Sequence, residues 1–204
     1  MATIIRDADL ERRLISERQR IGADKYDEVW EDVYMMAPAP NIEHQQIVMR
    51  LTIALDQIIN ETQMGEVFPG VHVSDREDDW KTNYRVPDVA VFLNGGQAIN
   101  RETHWYGGPD LTIEVISPDD QAREKISFYS AIGVRELLLI SRDPWQLELL
   151  RNIDGALLNV KVSDLESGQP ISSEVVPLSF RLVQGEPRPQ IEARSQHSGQ
   201  AWLI

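Results

Sequence analysis

Three charged residues in the middle of the chain could do chemistry together, and two of them are acids within apolar strands, where charge is costly. Glu114 interrupts the apolar run "LTIEVI", Asp88 follows Pro87 in "RVPDVAVF", and Lys125 lies in the segment after Glu114. An ionised carboxylate in an apolar strand is unfavourable unless it is paired or binds a metal. Two carboxylates on adjacent buried strands also repel each other. Pairing or metal binding must therefore offset the cost of charge at this site.

A divalent cation shared by Asp88 and Glu114 would remove this repulsion. Mg²⁺ binds through one or two carboxylates and keeps several waters, and Mn²⁺ accepts the same kind of ligand. A lysine beside the metal can orient a water or stabilise a developing anion. Asp88, Glu114 and Lys125 are therefore the candidate catalytic residues for metal-assisted hydrolysis of a phosphodiester, with Asp88 and Glu114 as the metal ligands.

Each of these residues also has a purely structural explanation. Pro-Asp pairs recur twice later in the chain, so Asp88 could be an ordinary turn residue. Glu114 could form an ion pair with Arg85 or Arg123. Lys125 could be a solvated lysine on the surface of a helix. Only the combination of the three residues favours the catalytic interpretation.

The sequence pattern in the first part of the chain predicts two helices separated by extended structure. Residues 8–20 place apolar residues near helical spacing among charges, which predicts a short amphipathic helix. Residues 26–36 alternate and carry aromatic and β-branched side chains, which predicts a strand or small hairpin. Asn41 is a typical N-cap for the helix that follows, which has the clearest amphipathic pattern in the chain.

The middle of the chain predicts three buried strands, at residues 84–93, 109–117 and 134–141. Between the second and the third, Ser117 is followed by proline and two aspartates, a pattern that begins helices. Gly133 is placed to end that helix. The resulting order of helices and strands predicts an α/β fold with a mixed sheet flanked by helices.

The last part of the chain predicts strands, followed by a tail without a clear pattern. Residues 145–162 predict a β-hairpin that turns at Asp154-Gly155. Residues 175–182 predict a closing strand. Residues 184–204 have no clear periodicity, so we expect this tail to be poorly ordered unless a partner holds it.

The composition excludes several classes of chemistry. The chain has no cysteine, which rules out a thiolate nucleophile or ligand and fits a reducing, cytoplasmic location. Its start lacks the apolar run of a signal peptide, and its apolar runs are too short to span a membrane. It also has no GxSxG motif, no Walker loop and no dinucleotide-binding fingerprint.

The spaced motifs resemble the Uma-type endonuclease family of the PD-(D/E)xK, restriction-endonuclease-like superfamily. The likeness covers roughly residues 26–183 and rests on "RVPDVAVF", "GGPDLTIEVISP" and "EKISFYSAIGVRELLLI", with further support from "MAPAPNIEHQQIVMRL" and "SGQPISSEVVPLSFRL". It implies a restriction-endonuclease-like mixed central sheet flanked by helices, with an extra N-terminal helix and hairpin and with C-terminal strands. The expected division is an N-terminal helical extension at 1–25, an endonuclease-like domain at 26–183 and a tail at 184–204.

The resemblance also assigns roles to individual residues. It makes Pro87-Asp88 the first half of the superfamily motif and Glu114 the acid of the second half. The superfamily's lysine would fall at Ile116, so the plain motif is broken, and Lys125 on the following helix takes its place. His44 matches the family pattern and would contact the metal, a substrate phosphate or Asp88. Glu43 is a weaker accessory candidate, for an outer metal contact.

The function expected from this resemblance is that of a Mg²⁺- or Mn²⁺-dependent nuclease, a hydrolase of phosphodiester bonds. Its expected substrate is nucleic acid, DNA rather than RNA, and its expected state is a cytoplasmic homodimer. The charge argues against tight nonspecific binding, since 33 acidic residues outnumber 20 basic ones and give a net charge of −13. Binding would then depend on a local patch, for which Arg85 and Arg123 are weak candidates.

Two alternatives remain open at this point. In the first, the chain is a catalytically silent binding or assembly module with the endonuclease fold, and Asp88, Glu114 and Lys125 form a buried charge network. In the second, it is a metal-dependent phosphoesterase that acts on small substrates. Metal binding at the two carboxylates would separate the first alternative from a nuclease, and a panel of substrates would separate the second.

Overall fold

The computed structural model of the protein describes residues 8–117 and 121–204, and these residues form three α-helices and sixteen strands. The helices are α1 (Ala8–Ile21), α2 (Ile42–Glu61) and α3 (Ile126–Ala131), and short 3-10 helices lie at Trp80–Thr82 and Ala122–Lys125. The strands are β1 (Glu28–Trp30), β2 (Val33–Met35), β3 (Gly65–Pro69), β4 (Val73–Ser74), β5 (Tyr84–Arg85), β6 (Val89–Leu93), β7 (Ile99–Asn100), β8 (Trp105–Tyr106), β9 (Leu111–Val115), β10 (Glu136–Arg142), β11 (Trp145–Ile153), β12 (Ala156–Ser163), β13 (Ile171–Ser172), β14 (Leu178–Val183), β15 (Gln190–Ser195) and β16 (Ala201–Leu203).

The central sheet is mixed, as the sequence predicts, and its strands lie in the order β12-β11-β10-β9-β6-β3. Strands β9 and β10 are parallel, and the other neighbouring pairs in this sheet are antiparallel. A parallel pair needs a crossover connection. Here the connection contains the 3-10 helix at Ala122–Lys125 and α3, so Lys125 lies over one face of the sheet.

The two faces of the central sheet are covered by different elements. Helix α2 buries its apolar stripe, which includes Ile47, Leu51 and Leu55, in the same core as Ile113 of β9. Helix α3 packs on the opposite face, where Phe128 and Tyr129 join a second apolar cluster. Burial on both faces explains why β9 and β10 are nearly continuous apolar runs in the sequence.

The N-cap predicted at Asn41 is present, and it fixes the start of α2. The Asn41 side-chain oxygen accepts a hydrogen bond of 2.9 Å from the backbone N–H of His44. This contact satisfies one of the donors left free at a helix start. The predicted start of the next helix, at residues 118–120, lies outside the described residues.

Residues 84–93 form two strands, whereas the sequence predicts one. Strand β5 belongs to a second sheet with the order β2-β1-β5-β4-β8-β7, and β6 belongs to the central sheet. The chain changes sheet at Val86, Pro87 and Asp88, since proline fixes its own backbone angle and cannot donate a ladder hydrogen bond. Asp88 therefore lies at the start of β6, next to the end of the antiparallel β9.

The expectation of a poorly ordered tail is wrong. Strands β15 and β16 extend a third sheet with the order β13-β14-β15-β16. Ile191, Ala193 and Ile204 are buried in the same core as α2. The inward positions of this tail are held partly by small residues, so its period-two pattern is faint in the sequence. No helix in the described ranges is long and apolar enough to cross a membrane.

The tail contributes to stability through Ile191, which is fully buried in β15. We expect Ile191→Ala to lower the free energy of unfolding by about 2–5 kcal/mol, the usual cost of truncating a buried isoleucine. Leu203→Ala is the control, because Leu203 in the neighbouring β16 is 54% exposed, and its effect should stay within about 0.5 kcal/mol. Urea unfolding of both variants measures the difference. Equal effects would contradict an ordered tail that belongs to the core.

Candidate active site

Asp88 is fixed by two contacts at the point where the chain enters the central sheet. Its Oδ2 accepts a hydrogen bond of 2.7 Å from the backbone N–H of Val115, at the end of β9. The same oxygen lies 3.2 Å from Nε2 of His44, in the first turn of α2. The other oxygen, Oδ1, has no hydrogen-bond partner within 8–117 or 121–204, and the side chain is 19% exposed. Asp88 is thus oriented through one oxygen and keeps the other available.

Glu114 faces the α3 side of the sheet, because side chains alternate along a strand and its neighbours Ile113 and Val115 face α2. Its carboxylate is almost completely buried, and three polar contacts stabilise it. Lys125 Nζ lies 3.1 Å from Oε1 and 3.3 Å from Oε2. The hydroxyl of Tyr129 donates a hydrogen bond of 2.5 Å to Oε1. The question raised by an acid inside an apolar strand is answered by these buried partners.

Lys125 also binds a second carboxylate, which belongs to Glu28 in β1. The distance from Lys125 Nζ to Glu28 Oε1 is 2.8 Å, shorter than its distances to Glu114. Glu28 is itself held by the backbone N–H of Val86 at 2.8 Å and by the indole N–H of Trp30 at 2.6 Å. The ammonium group is therefore clamped between two buried acids rather than solvated.

The electrostatics of this cluster depend on burial and on the excess of acids. Burial raises the pKa of Glu114 to about 8; Lys125 opposes the rise, whereas the charges of Asp88 and Glu28 add to it. Burial alone would lower the pKa of Lys125, but the carboxylates of Glu114 and Glu28 outweigh burial and raise it. Lys125 therefore stays charged, and Glu114 gives up its proton less readily than an ordinary glutamate.

The two accessory candidates lie next to each other but make different contacts. His44 contacts Asp88, which is one of the three partners considered for it. Glu43 forms ion pairs with Arg142 at 3.0 Å and with Arg188 at 3.2 Å. Neither an ion pair nor a hydrogen bond links Glu43 to Asp88 or Glu114 within the described ranges, so Glu43 supports the edge of the site and not the carboxylate pair.

The two arginines predicted as nucleic-acid contacts are occupied elsewhere. Arg85 is buried, with its guanidinium 4.5 Å from the ring centre of Trp30 and 4.2 Å from that of Phe128. Arg123 pairs with Glu148 on β11. Neither arginine binds Glu114 in the described ranges, so the alternative in which Glu114 pairs with one of them is wrong, and its charged partner is Lys125. The burial of Arg85 also places it away from the surface that a phosphate would reach.

The carboxylate pair has a donor set suited to one kind of metal. No group of three or more His, Cys, Asp or Glu side chains arranged to hold a metal occurs in the described part of the chain. Mg²⁺ does not need such a group, because it binds through one or two carboxylates and keeps its waters. The pKa of Glu114 is raised by burial and further by the charge of Asp88. This repulsion and the free Oδ1 of Asp88 fit a hard cation between the two residues.

Comparison with known proteins first identifies the class of fold. A crystal structure from Anabaena variabilis, described as "a putative nuclease belonging to DUF820", matches with a TM-score of 0.58 and 19% sequence identity, over 72% of this chain and 80% of that one. The protein therefore has the mixed α/β fold of a nuclease-type structure, as predicted. Residues 17–184 match the model of the Uma2 family, which is described as "putative restriction endonuclease". The chain belongs to this family, which confirms the resemblance. No curated protein matches the chain.

Sequence reasoning missed Glu28, Tyr129 and Arg142. Glu28 lies in a strand of only three residues, too short to show a period, and it is one of 33 acidic residues. Tyr129 could have been found, since it lies four residues after Lys125 and therefore on the same side of the helical segment. Arg142 lies two residues after Ile140, which pairs with Val115 at the end of β9. Its contacts with Glu43 and Asn41 span about a hundred residues of sequence, so no local pattern indicates them.

The buried lysine can be tested through stability. Lys125→Met leaves Glu28 and Glu114 without their shared ammonium, and we expect it to cost about 3–5 kcal/mol of unfolding free energy. Lys161→Met is the matched control, because Lys161 is exposed on β12, and it should change stability by less than about 0.5 kcal/mol. Denaturant unfolding at neutral pH measures both. If the two lysine variants were equally stable, the clamp would not exist in solution.

Proposed function

We propose that the protein is a Mg²⁺- or Mn²⁺-dependent endonuclease that hydrolyses phosphodiester bonds in nucleic acid, with DNA as its expected substrate. The observation that carries the proposal is the meeting of Asp88, Glu114 and Lys125 at adjoining strand ends. Membership of a family described as "putative restriction endonuclease" supports the same reaction. A cytoplasmic homodimer is part of the proposal, because homodimers are the commonest soluble oligomers.

Asp88 and Glu114 would hold the metal. A divalent cation held there would supply Lewis-acid polarisation of a phosphoryl oxygen and activation of a water for attack. The backbone N–H of Val115 and the ring of His44 fix Asp88 through Oδ2, so that Oδ1 points to a predictable position. A metal-binding side chain that is already held in place loses little conformational freedom when the metal binds. His44 is, on this account, a positioning residue for Asp88.

Lys125 supplies positive charge where the reacting phosphate gains negative charge. Its ammonium remains protonated, because burial is outweighed by Glu114 and Glu28, which raise its pKa. A fixed cation in a site that excludes water stabilises developing charge more strongly than a mobile one at the surface. Glu28 and Tyr129 are positioning residues. Glu28 holds the ammonium group of Lys125, and Tyr129 holds the carboxylate of Glu114.

One observation favours a catalytically silent module as the second candidate. Lys125 and Tyr129 already satisfy Glu114 with protein contacts, as a purely structural charge network would require. In that case Asp88 and Glu114 would bind no cation, and the fold would serve as a binding or assembly surface. Activity and metal dependence separate this candidate, and a phosphoesterase for small substrates, from the nuclease.

A cleavage assay on plasmid DNA, linear duplex DNA and RNA tests the proposal, with an aryl phosphodiester as the small substrate. We expect cleavage of DNA with Mg²⁺ or Mn²⁺ that a chelator stops. Asp88→Asn and Glu114→Gln should each lower the rate by at least about 100-fold, because each removes an interaction needed in the transition state.

Asp110→Asn is the matched control for this assay. Asp110 also follows a proline and is more deeply buried than Asp88, but it binds Leu93 N–H and Arg135 instead of the candidate site. It should keep most of the activity of a folded protein. Cleavage by the Asp88 and Glu114 variants at the wild-type rate would contradict the proposed roles. Absence of cleavage by a folded, metal-supplied wild type would favour the silent module.

A further inference from the structure

Two arginines converge on one carboxylate at the edge of the candidate site. Glu43 Oε2 lies 3.0 Å from Nη1 of Arg142, and Glu43 Oε1 lies 3.2 Å from Nε of Arg188. Each oxygen of the carboxylate thus faces a different guanidinium group. Guanidinium groups bind phosphate oxygens with the same planar geometry that they use for carboxylates.

Arg142 is held in place by the strand ends that carry the carboxylate pair. Its Nε donates to the carbonyl of Ile116 at 3.2 Å, and its Nη2 donates to the hydroxyl of Ser117 at 2.9 Å. Its side chain is only 8% exposed. Because β10 runs parallel to β9, with Ile140 opposite Val115, Arg142 reaches the same edge of the sheet as Glu114.

Arg188 comes from the tail, beyond the segment 17–184 that matches the family. Its Nη1 donates to the carbonyl of Pro189 at 2.7 Å and lies 3.4 Å from the carbonyl of Ile204. Its guanidinium carbon lies 5.4 Å from the ring centre of Trp145. The ordered tail thus places a partly exposed cation beside the strand ends.

The position of Glu43 connects this arginine pair to the catalytic candidates. Glu43 directly precedes His44, which contacts Asp88. Arg142 binds the carbonyl of Ile116, two residues after Glu114. The arginine pair and the carboxylate pair are therefore joined by short covalent and hydrogen-bonded links, and a nucleic-acid strand could contact both.

We propose that Arg142 and Arg188 form a binding site for a backbone phosphate of the nucleic acid, and that Glu43 occupies this site when no nucleic acid is bound. This inference rests on the proposed function, since it names a contact for the same substrate. Glu43 is 39% exposed, whereas Arg142 is 8% and Arg188 is 18% exposed. The carboxylate is therefore the partner that can move into solvent and leave the two guanidinium groups to a phosphate. The site also gives an acidic protein a local cation pair for binding a polyanion.

The test measures binding of a labelled DNA duplex of about 20 base pairs by fluorescence anisotropy, in an Asp88→Asn background with Mg²⁺ so that no cleavage occurs. Glu43→Gln should tighten binding about fivefold, because it removes the internal competitor. Arg188→Ala should weaken binding about fivefold and lower the slope of log affinity against log salt by about 1, the loss of one phosphate contact.

Glu192→Gln is the matched control for net charge. Glu192 in β15 also binds two arginines: Arg181 donates to Oε1 at 2.9 Å, and Arg194 donates to Oε1 at 3.2 Å and to Oε2 at 3.1 Å. It makes no hydrogen bond or ion pair to the candidate active site among the described residues. Glu192→Gln should therefore leave DNA affinity nearly unchanged. If it tightened binding as much as Glu43→Gln, the effect would be one of overall charge and the inference would be wrong.

Calorimetric titration with inorganic pyrophosphate, in the otherwise wild-type chain, separates this inference from the proposed function. If pyrophosphate binds and Arg188→Ala weakens its binding, the arginine site is supported. If the protein also cleaves no nucleic acid, that second result counts against the nuclease proposal but not against the arginine site. The opposite outcome is metal-dependent cleavage in a protein whose binding of DNA and pyrophosphate is unchanged by Arg188→Ala and Glu43→Gln. This outcome would support the nuclease proposal and overturn the arginine site. Melting temperatures near wild type show that each variant is folded.

Discussion

The buried ammonium group of Lys125, clamped between Glu28 and Glu114, is the interaction on which the rest of the site depends. It ties together β1, the central strand β9 and the segment leading into α3, which are separated in sequence. Lys125 and the nearby Arg85 give two cations against the three carboxylates of Glu28, Glu114 and Asp88. When all three acids are ionised, one negative charge remains in excess. Burial, together with this imbalance, raises the pKa of Glu114, and a further cation would offset the excess charge.

The fold gathers these charges around the adjoining ends of β6 and β9. Pro87 moves the chain from the second sheet into the central sheet, so Asp88 meets the end of β9 and keeps one oxygen free of protein contacts in the described ranges. Glu114 and Lys125 lie deeper, on the α3 face. The parallel pairing of β9 and β10 adds Arg142 to the same edge, and the C-terminal sheet adds Arg188. A metal site and an anion site would then be neighbours without either depending on the overall charge of the protein.

The sequence could predict the parts of this arrangement that follow from local patterns. Helix α2 and its Asn41 cap follow from periodicity, and Asp88, Glu114 and Lys125 stand out because polar residues rarely interrupt apolar runs. Glu28 could not be predicted, since its role depends on a counter-charge almost a hundred residues away in sequence. The burial of Arg85 depends on Trp30 and Phe128, which only the folded chain brings to its guanidinium. The ordered strands of the tail could not be predicted either, because small inward-facing residues weaken the alternation of apolar and polar side chains.

Calorimetric titration of Mg²⁺ and Mn²⁺ at pH about 7 tests most directly the proposal that Asp88 and Glu114 share a divalent cation. Since the pKa of Glu114 is raised to about 8, metal binding should release close to one proton, seen as a heat that depends on the ionisation enthalpy of the buffer. We expect binding with proton release in the wild type and neither in the Asp88→Asn/Glu114→Gln double variant. Absence of binding in the folded wild type, or equal binding by the double variant, would contradict it.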